Sequence, residues 1–190
     1  MKRIRFFKSL EWLVMIIACT IVGAAWGWAQ SHHGAVPGIP ASFTQADITA
    51  FPQCPICGMD RAKFSHSRFF VTYEDGTLFG TCSLHCAALD LSLKLGVAPT
   101  SIEVGDYNSG KLIDAHTATW VIGGEQPGVM TRRAKWAFET PEAARDFIAR
   151  HGGNLVDFET AIKAAYEDLY EDTRMIRQKR QQMKHQHHGG

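Results

Sequence analysis

Two pairs of cysteines constrain the fold of this chain more than any other feature of its sequence. The first pair lies in Cys54-Pro-Ile-Cys57-Gly-Met59, and the second lies in Cys82-Ser-Leu-His-Cys86. Four thiols in two tight clamps can form disulfides, run a redox cycle or surround one metal ion. The spacing indicates a metal site or paired disulfides, and it does not by itself distinguish between metals.

The residues around the first pair weaken a redox interpretation, whereas those around the second pair favour metal binding. A Cys-x-x-Cys redox motif normally begins a helix, whose dipole lowers the pKa of the first thiol. Here Gly58 follows Cys57 and no helical pattern develops, which weakens a thioredoxin-like interpretation. By contrast, Cys82 precedes a predicted helix and Cys86 lies in its first turn. Free backbone N–H groups there favour the thiolate, which is the form that binds metal.

Two methionines favour copper over zinc. Met59 lies two residues after Cys57, and Met130 lies in a Gly/Pro-rich loop that begins at Gly123. Soft thioether ligands select Cu(I), whereas Zn(II) rarely uses them, although a single methionine more often fills a gap in a core. Cu(I) is therefore the first choice of metal and Zn(II) the alternative. The candidate metal ligands are Cys54, Cys57, Met59, Cys82, Cys86 and Met130. His85, between the second pair, is expected to be a surface residue of the helix.

The hydrophobic pattern predicts an α+β fold in which helices pack on antiparallel sheet. Two strand-strand-helix-strand units follow each other, and a C-terminal helix ends the chain. The predicted strands are 69–73, 77–81 and 101–105 in the first unit and 117–122, 135–138 and 154–158 in the second. The first helix follows the N-cap Ser83, and the second covers 141–150 after the N-cap Thr140. Trp120, Trp136 and Phe138 are expected in the core.

The N-terminal segment predicts export. Four basic residues lie within residues 1–8, an apolar run extends from Trp12 to Trp26, and Gly27-Trp28-Ala29 suits cleavage by signal peptidase. A lipidated Cys19 and an uncleaved membrane anchor are the alternatives. The chain is expected in the periplasm or anchored to the outer face of the cytoplasmic membrane. Any membrane association would use this segment.

The composition and motifs of the chain exclude some functions, and its sequence pattern divides it into segments. The 20 Lys and Arg balance the 19 Asp and Glu, which argues against nucleic-acid binding. No Ser-His-Asp set, phosphate loop or carboxylate pair stands out, so no enzyme is predicted. The predicted segments are a signal peptide or anchor (1–29), a tether (30–41), a four-cysteine metal module (42–110), a second unit (111–158), and a C-terminal helix with a His-rich tail (159–190).

These motifs resemble two known kinds of protein. The first half of the chain resembles the TRASH/YHS type of metal-trafficking module. The resemblance is carried by the first cysteine motif, by Tyr73-Glu-Asp-Gly76 and by Thr81-Cys-Ser-Leu-His-Cys86. The stretches 118–124, 127–130, 137–138 and 143–153, together with Cys-x-x-Cys-Gly-Met, are similar to the NosL family. The NosL resemblance implies an exported copper-binding accessory protein of nitrous oxide reductase. It also implies that Cys57 or Cys54, Met59 and Met130 bind Cu(I), and Cys82 and Cys86 depart from its usual pattern.

The leading hypothesis is an exported Cu(I) chaperone. It would deliver copper to a copper-accepting client outside the cytoplasm, such as an enzyme of the nitrous oxide reductase type. The first alternative is a structural Zn-binding interaction protein, which should unfold when the metal is removed. The second alternative is a thiol-disulfide oxidoreductase, in which Cys54 and Cys57 should cycle without metal.

Overall fold

The structure is a computed structural model and describes residues 46–188 of the chain. The predicted signal peptide or anchor and the tether lie outside the described residues. Across residues 46–188, no helix combines the length and the apolar character needed to cross a membrane.

The first unit carries both cysteine pairs. A short helix, α1 (Ala46–Ala50), precedes the first pair. The elements that follow are β1 (Phe69–Tyr73), β2 (Leu78–Thr81), α2 (Leu84–Leu93), β3 (Pro99–Gly105) and β4 (Leu112–Asp114). The strands form an antiparallel sheet in the order β2-β1-β3-β4, with Phe69 opposite both Thr81 and Val104. The sequence pattern did not predict β4.

The second unit repeats the order of the first. Its elements are β5 (Thr119–Ile122), β6 (Lys135–Phe138), α3 (Pro141–His151) and β7 (Asn154–Val156). The strands form an antiparallel sheet in the order β6-β5-β7. The long helix α4 (Phe158–His188) follows. The predicted α+β fold of two strand-strand-helix-strand units and a C-terminal helix is therefore confirmed.

Local turn and cap chemistry explains where several elements begin. Gly76 has a φ of 81°, and the Asp75 carboxylate accepts a hydrogen bond from Thr77 N at 2.8 Å, which closes the β1–β2 hairpin. The Thr140 hydroxyl accepts from Ala143 N at 3.2 Å and caps α3. Ser83 is the N-cap of α2 as predicted, but its side chain makes no capping hydrogen bond.

Within residues 46–188, the buried apolar residues form two clusters. One joins the larger sheet to α2, β5 and the start of α4, and Phe69 stacks on Trp120 there. The other contains Trp136, Phe138 and Phe147, and three of the four cysteines belong to it. The predicted burial of Trp120, Trp136 and Phe138 is confirmed. The cysteine site is consequently part of the hydrophobic core.

Candidate metal centre

The first cysteine pair lies in a tight hydrogen-bonded turn. Gly58 N donates to the Cys54 carbonyl at 2.7 Å, and Cys54 N donates to the Met59 carbonyl at 2.8 Å. Gly58 has a φ of 79°, which residues with a Cβ rarely adopt. The glycine that follows Cys57 therefore closes the turn and does not start a helix.

The second cysteine pair lies where β2 passes into α2. Cys82 follows the last residue of β2, and Cys86 lies in the first turn of α2. The Ser67 hydroxyl donates to the Cys82 carbonyl at 2.9 Å and fixes the backbone at this point. The Sγ atoms of Cys82 and Cys86 are 3.8 Å apart. The strand-to-helix transition thus presents both thiols to one side, as the sequence predicted.

The two pairs converge on one site. The Sγ atoms of all four cysteines lie within 4.8 Å of one another, and Cys57 Sγ is 3.4 Å from Cys82 Sγ. A disulfide needs a separation of about 2 Å, and the four thiols are free. A tetrahedral ion with metal–sulfur bonds of about 2.3 Å would hold its sulfurs about 3.8 Å apart. The thiol cluster, defined as Cys54, Cys57, Cys82 and Cys86, is therefore able to bind one metal ion.

The thiol cluster is accessible from one side. Cys54 is 1% exposed, and Cys82 and Cys86 are 0% exposed, whereas Cys57 is half-buried. Exposed Pro55 and Ile56 precede Cys57 in the same turn. An ion or an exchanging ligand from solvent would therefore meet Cys57 first.

The four thiols influence one another's protonation. Hydrogen bonds from Cys57, Cys82 and Cys86 lower the pKa of the Cys54 thiol. The pKa values of Cys82 and Cys86 are raised, first by hydrogen bonding to Cys54. Hydrogen bonding to Cys54 opposes ionisation of the Cys57 thiol, but hydrogen bonds with Cys82 and Cys86 leave its pKa lowered as well. The first pair therefore loses its protons more readily than the second, whose protons a bound cation would replace.

A buried arginine, which the sequence analysis missed, links the two pairs. Arg61 lies two residues after Met59, and its Nε donates to the carbonyl of Thr81, the neighbour of Cys82, at 3.0 Å. Its Nη1 donates to Phe51 O at 2.7 Å and its Nη2 to Asp47 Oδ2 at 2.8 Å. Burial lowers the pKa of Arg61, and the Asp47 carboxylate opposes that shift. Arg61 therefore joins the segment just before the first cysteine pair to the end of β2, which Cys82 follows.

A second buried arginine shares the same carboxylate. Arg68 Nε donates to Asp47 Oδ2 at 2.8 Å, and its Nη2 donates to Asp47 Oδ1 at 3.0 Å. Both arginines are 0% exposed. Buried charges of this kind are costly without a partner. No spacing in the sequence signals this network, because its members are joined only by tertiary packing.

The two candidate methionines reach the same part of the core. Met59 and Met130 are partly buried and pack against the cluster that contains Cys54, Cys82 and Cys86. Met130 has a φ of 61°, and it is the one non-glycine residue with positive φ in the described part of the chain. The structure thus brings all six predicted ligands to one region. Their roles as ligands remain predictions.

The expected surface position of His85 is wrong. Its side chain is buried, and Nδ1 lies 3.7 Å from Asp172 Oδ2 of α4. Burial lowers the pKa of His85. Because α2 packs between the larger sheet and α4, the residue beside Cys86 faces another helix. A pattern read from α2 alone does not reveal this second helix.

Comparison with known proteins adds a family match. The family model for NosL matches residues 45–166, which is more than half of the chain. Among solved structures, the crystal structure of the copper chaperone NosL from Shewanella denitrificans is similar, with 23% identity and a TM-score of 0.48. That match covers 63% of this chain and 96% of the other. A search of curated proteins found no match.

Proposed function

This chain belongs to the NosL family, as its motifs predicted, and from that premise we propose that it is a Cu(I) chaperone. It binds the ion at the thiol cluster and passes it to a copper-accepting client. The observation that carries the proposal is the convergence of four free thiols from two separate segments within 4.8 Å. This arrangement provides soft ligands for one ion.

The surroundings of the thiol cluster favour a soft monovalent ion. Thiolates and thioethers both select Cu(I), and Met59 and Met130 pack against the same core cluster as the cysteines. A monovalent ion held by two thiolates leaves one net negative charge, whereas Zn(II) held by four thiolates leaves two. Excess charge in a buried apolar site is costly, so the monovalent complex is easier to accommodate.

The uneven exposure of the thiols supports transfer by ligand exchange. A ligand from the client meets the half-buried Cys57 first and displaces it, while the buried thiols still hold the ion. Each later exchange proceeds from the same side. We propose an extracytoplasmic client, such as an enzyme of the nitrous oxide reductase type, on the strength of the family resemblance. The N-terminal sequence pattern supports an exported or membrane-anchored location.

The proposal is tested by competition for Cu(I) with a chromogenic chelator, under reducing conditions and on the full chain. Wild type is expected to retain one Cu(I). Cys54→Ser and Cys57→Ser are expected to lose more than about a hundredfold in affinity, because even outer partners of metal ligands contribute 10- to 100-fold. Met183→Leu changes an exposed thioether on α4 and serves as the control.

Two outcomes would overturn the proposal. One is equal Cu(I) affinity in wild type and both cysteine variants. The other is retention of Zn(II) in place of copper after purification from the native envelope, measured by elemental analysis. The second result would favour the structural zinc alternative.

A further inference from the structure

The part of α4 beyond the family match contacts segments that carry candidate ligands. The match ends at residue 166, and α4 continues to His188. Asp168 accepts hydrogen bonds from Arg133 and Lys135. Asp172 accepts one from Arg132 N at 3.0 Å, and Arg180 donates to the Cys57 carbonyl at 2.6 Å. This extension therefore lies along the metal site.

Met130 has an unfavourable backbone conformation. Its φ of 61° is in the left-handed region, which is unfavourable for a residue with a Cβ. Such a conformation persists where the surrounding structure enforces it. The contacts of the neighbouring residues must therefore supply the restraint that keeps Met130 against the cysteine-containing core cluster.

The carboxylate of Asp172 contacts the backbone of this loop close to Met130. Asp172 is 2% exposed, although the residue before it is exposed. Its Oδ1 accepts from the backbone N–H of Arg132, two residues after Met130. A hydrogen bond between a buried carboxylate and a backbone N–H is among the stronger ones in proteins. It holds the loop backbone immediately after the left-handed residue.

The same carboxylate faces the helix that carries Cys86. Asp172 Oδ2 lies 3.7 Å from Nδ1 of His85, the residue before Cys86. Asp172 is thus placed between the loop of Met130 and the first turn of α2. Both segments carry candidate ligands, and each contacts the same side chain of α4.

We propose that Asp172 is a positioning residue of the metal site, which holds the loop after Met130 so that the thioether stays at the thiol cluster. The inference rests on the proposed function, because it takes Met130 as a ligand of Cu(I). It assigns a role to a helical extension that lies outside the family match.

A double-mutant cycle tests this role. Cu(I) affinity is measured by chelator competition for Asp172→Ala, Met130→Leu and the double variant. Each single change is expected to weaken binding about tenfold, and the double variant should be no weaker than Met130→Leu alone. Asp172→Asn keeps an oxygen acceptor for Arg132 N and should stay near wild type. Glu171→Ala, at the exposed neighbouring position, is the matched control.

A second readout separates positioning from general stability. X-ray absorption of the Cu(I) form should show one fewer sulfur ligand in Asp172→Ala than in wild type. Amide exchange of the metal-free protein should be faster at Arg132 in the variant, with α3 unaffected. If Asp172→Ala does not fold, Asp172→Ser replaces it, since its shorter side chain leaves Arg132 N without the carboxylate.

Several results would overturn the inference. Additive losses in the cycle, wild-type affinity for Asp172→Ala, or unchanged exchange at Arg132 would each do so. If Met130→Leu binds Cu(I) as tightly as wild type, Met130 is not a ligand, and the positioning role of Asp172 is overturned as well. Cys54→Ser distinguishes this failure from failure of the proposed function, because loss of binding in that variant still supports the thiol cluster.

Discussion

The Sγ atoms of Cys57 and Cys82 lie 3.4 Å apart, although 25 residues separate them in the chain. The β1–β2 hairpin returns the chain toward the first pair, and Arg61, two residues beyond the turn that carries Cys57, donates to the carbonyl of Thr81 beside Cys82. The thiol cluster therefore depends on a hairpin and on a buried charge network as much as on the cysteines. Each of these supports can be tested separately.

Replacing Arg61 should disturb the thiol cluster without touching a thiol. Arg61→Lys keeps the charge but loses the fork of donors that reaches Thr81, Phe51 and Asp47. We expect a loss of about 3 kcal/mol in the free energy of unfolding, measured by denaturant titration, because breaking a buried ion pair costs about that much. Cu(I) affinity should fall as well.

Arg145→Lys is the control for this experiment. Arg145 is an exposed arginine of α3 paired with Glu142, and such changes usually stay within about 0.5 kcal/mol. Equal stability of Arg61→Lys and Arg145→Lys would show that the buried network does not support the site.

The turn after Cys57 requires glycine at position 58. A Cβ at Gly58 meets nothing within 4 Å, so the φ of 79° alone makes substitution unfavourable. We expect Gly58→Ala to cost about 1 kcal/mol of stability and to weaken Cu(I) binding, measured by thermal unfolding and chelator competition. Gly96→Ala, in open space without a positive φ, should affect neither. Unchanged Cu(I) affinity in Gly58→Ala would contradict the role of this turn.

The stability of the α4 contact with β6 should fall in acid. Burial alone would raise the pKa of Asp168, but hydrogen bonds from Arg133 and Lys135 lower it below the ordinary value. Because the folded pKa is depressed, this stabilisation is present above the unfolded pKa of about 3.9 and is lost as the pH falls through the folded value. The Tm values of wild type and Asp168→Asn should therefore converge once the pH is below the folded pKa of Asp168. A constant difference at all pH values would contradict the assignment.

Removing the metal should leave the domain folded. Three of the cysteines lie in a core cluster with Trp136, Phe138 and Phe147, and Arg61, paired with the buried Asp47, hydrogen-bonds the carbonyl next to Cys82. Circular dichroism of the metal-free reduced protein should show the native helix content. Added Cu(I) should raise the Tm with ion concentration. Unfolding on metal removal would instead indicate a structural zinc site.

The sequence by itself determined the local parts of this protein. The glycine after Cys57, the Asp-Gly turn at residues 75–76 and the cap Thr140 act on backbone only a few residues away. Their effects follow from dihedral preference and short-range hydrogen bonds, so the order of elements and the two cysteine clamps were predictable. The same rules did not predict the short edge strand β4, which pairs with the neighbouring β3 but has too few residues to show an alternating pattern.

Only the tertiary structure decided how these parts meet. It brought the two clamps within 4.8 Å, placed Arg61 and Arg68 on one buried carboxylate and turned His85 toward Asp172. Such contacts join residues far apart in the chain, and their free energy comes from burial and charge pairing, which no local periodicity encodes. The chain therefore specifies its candidate ligands locally, and packing between distant elements assembles them into one site.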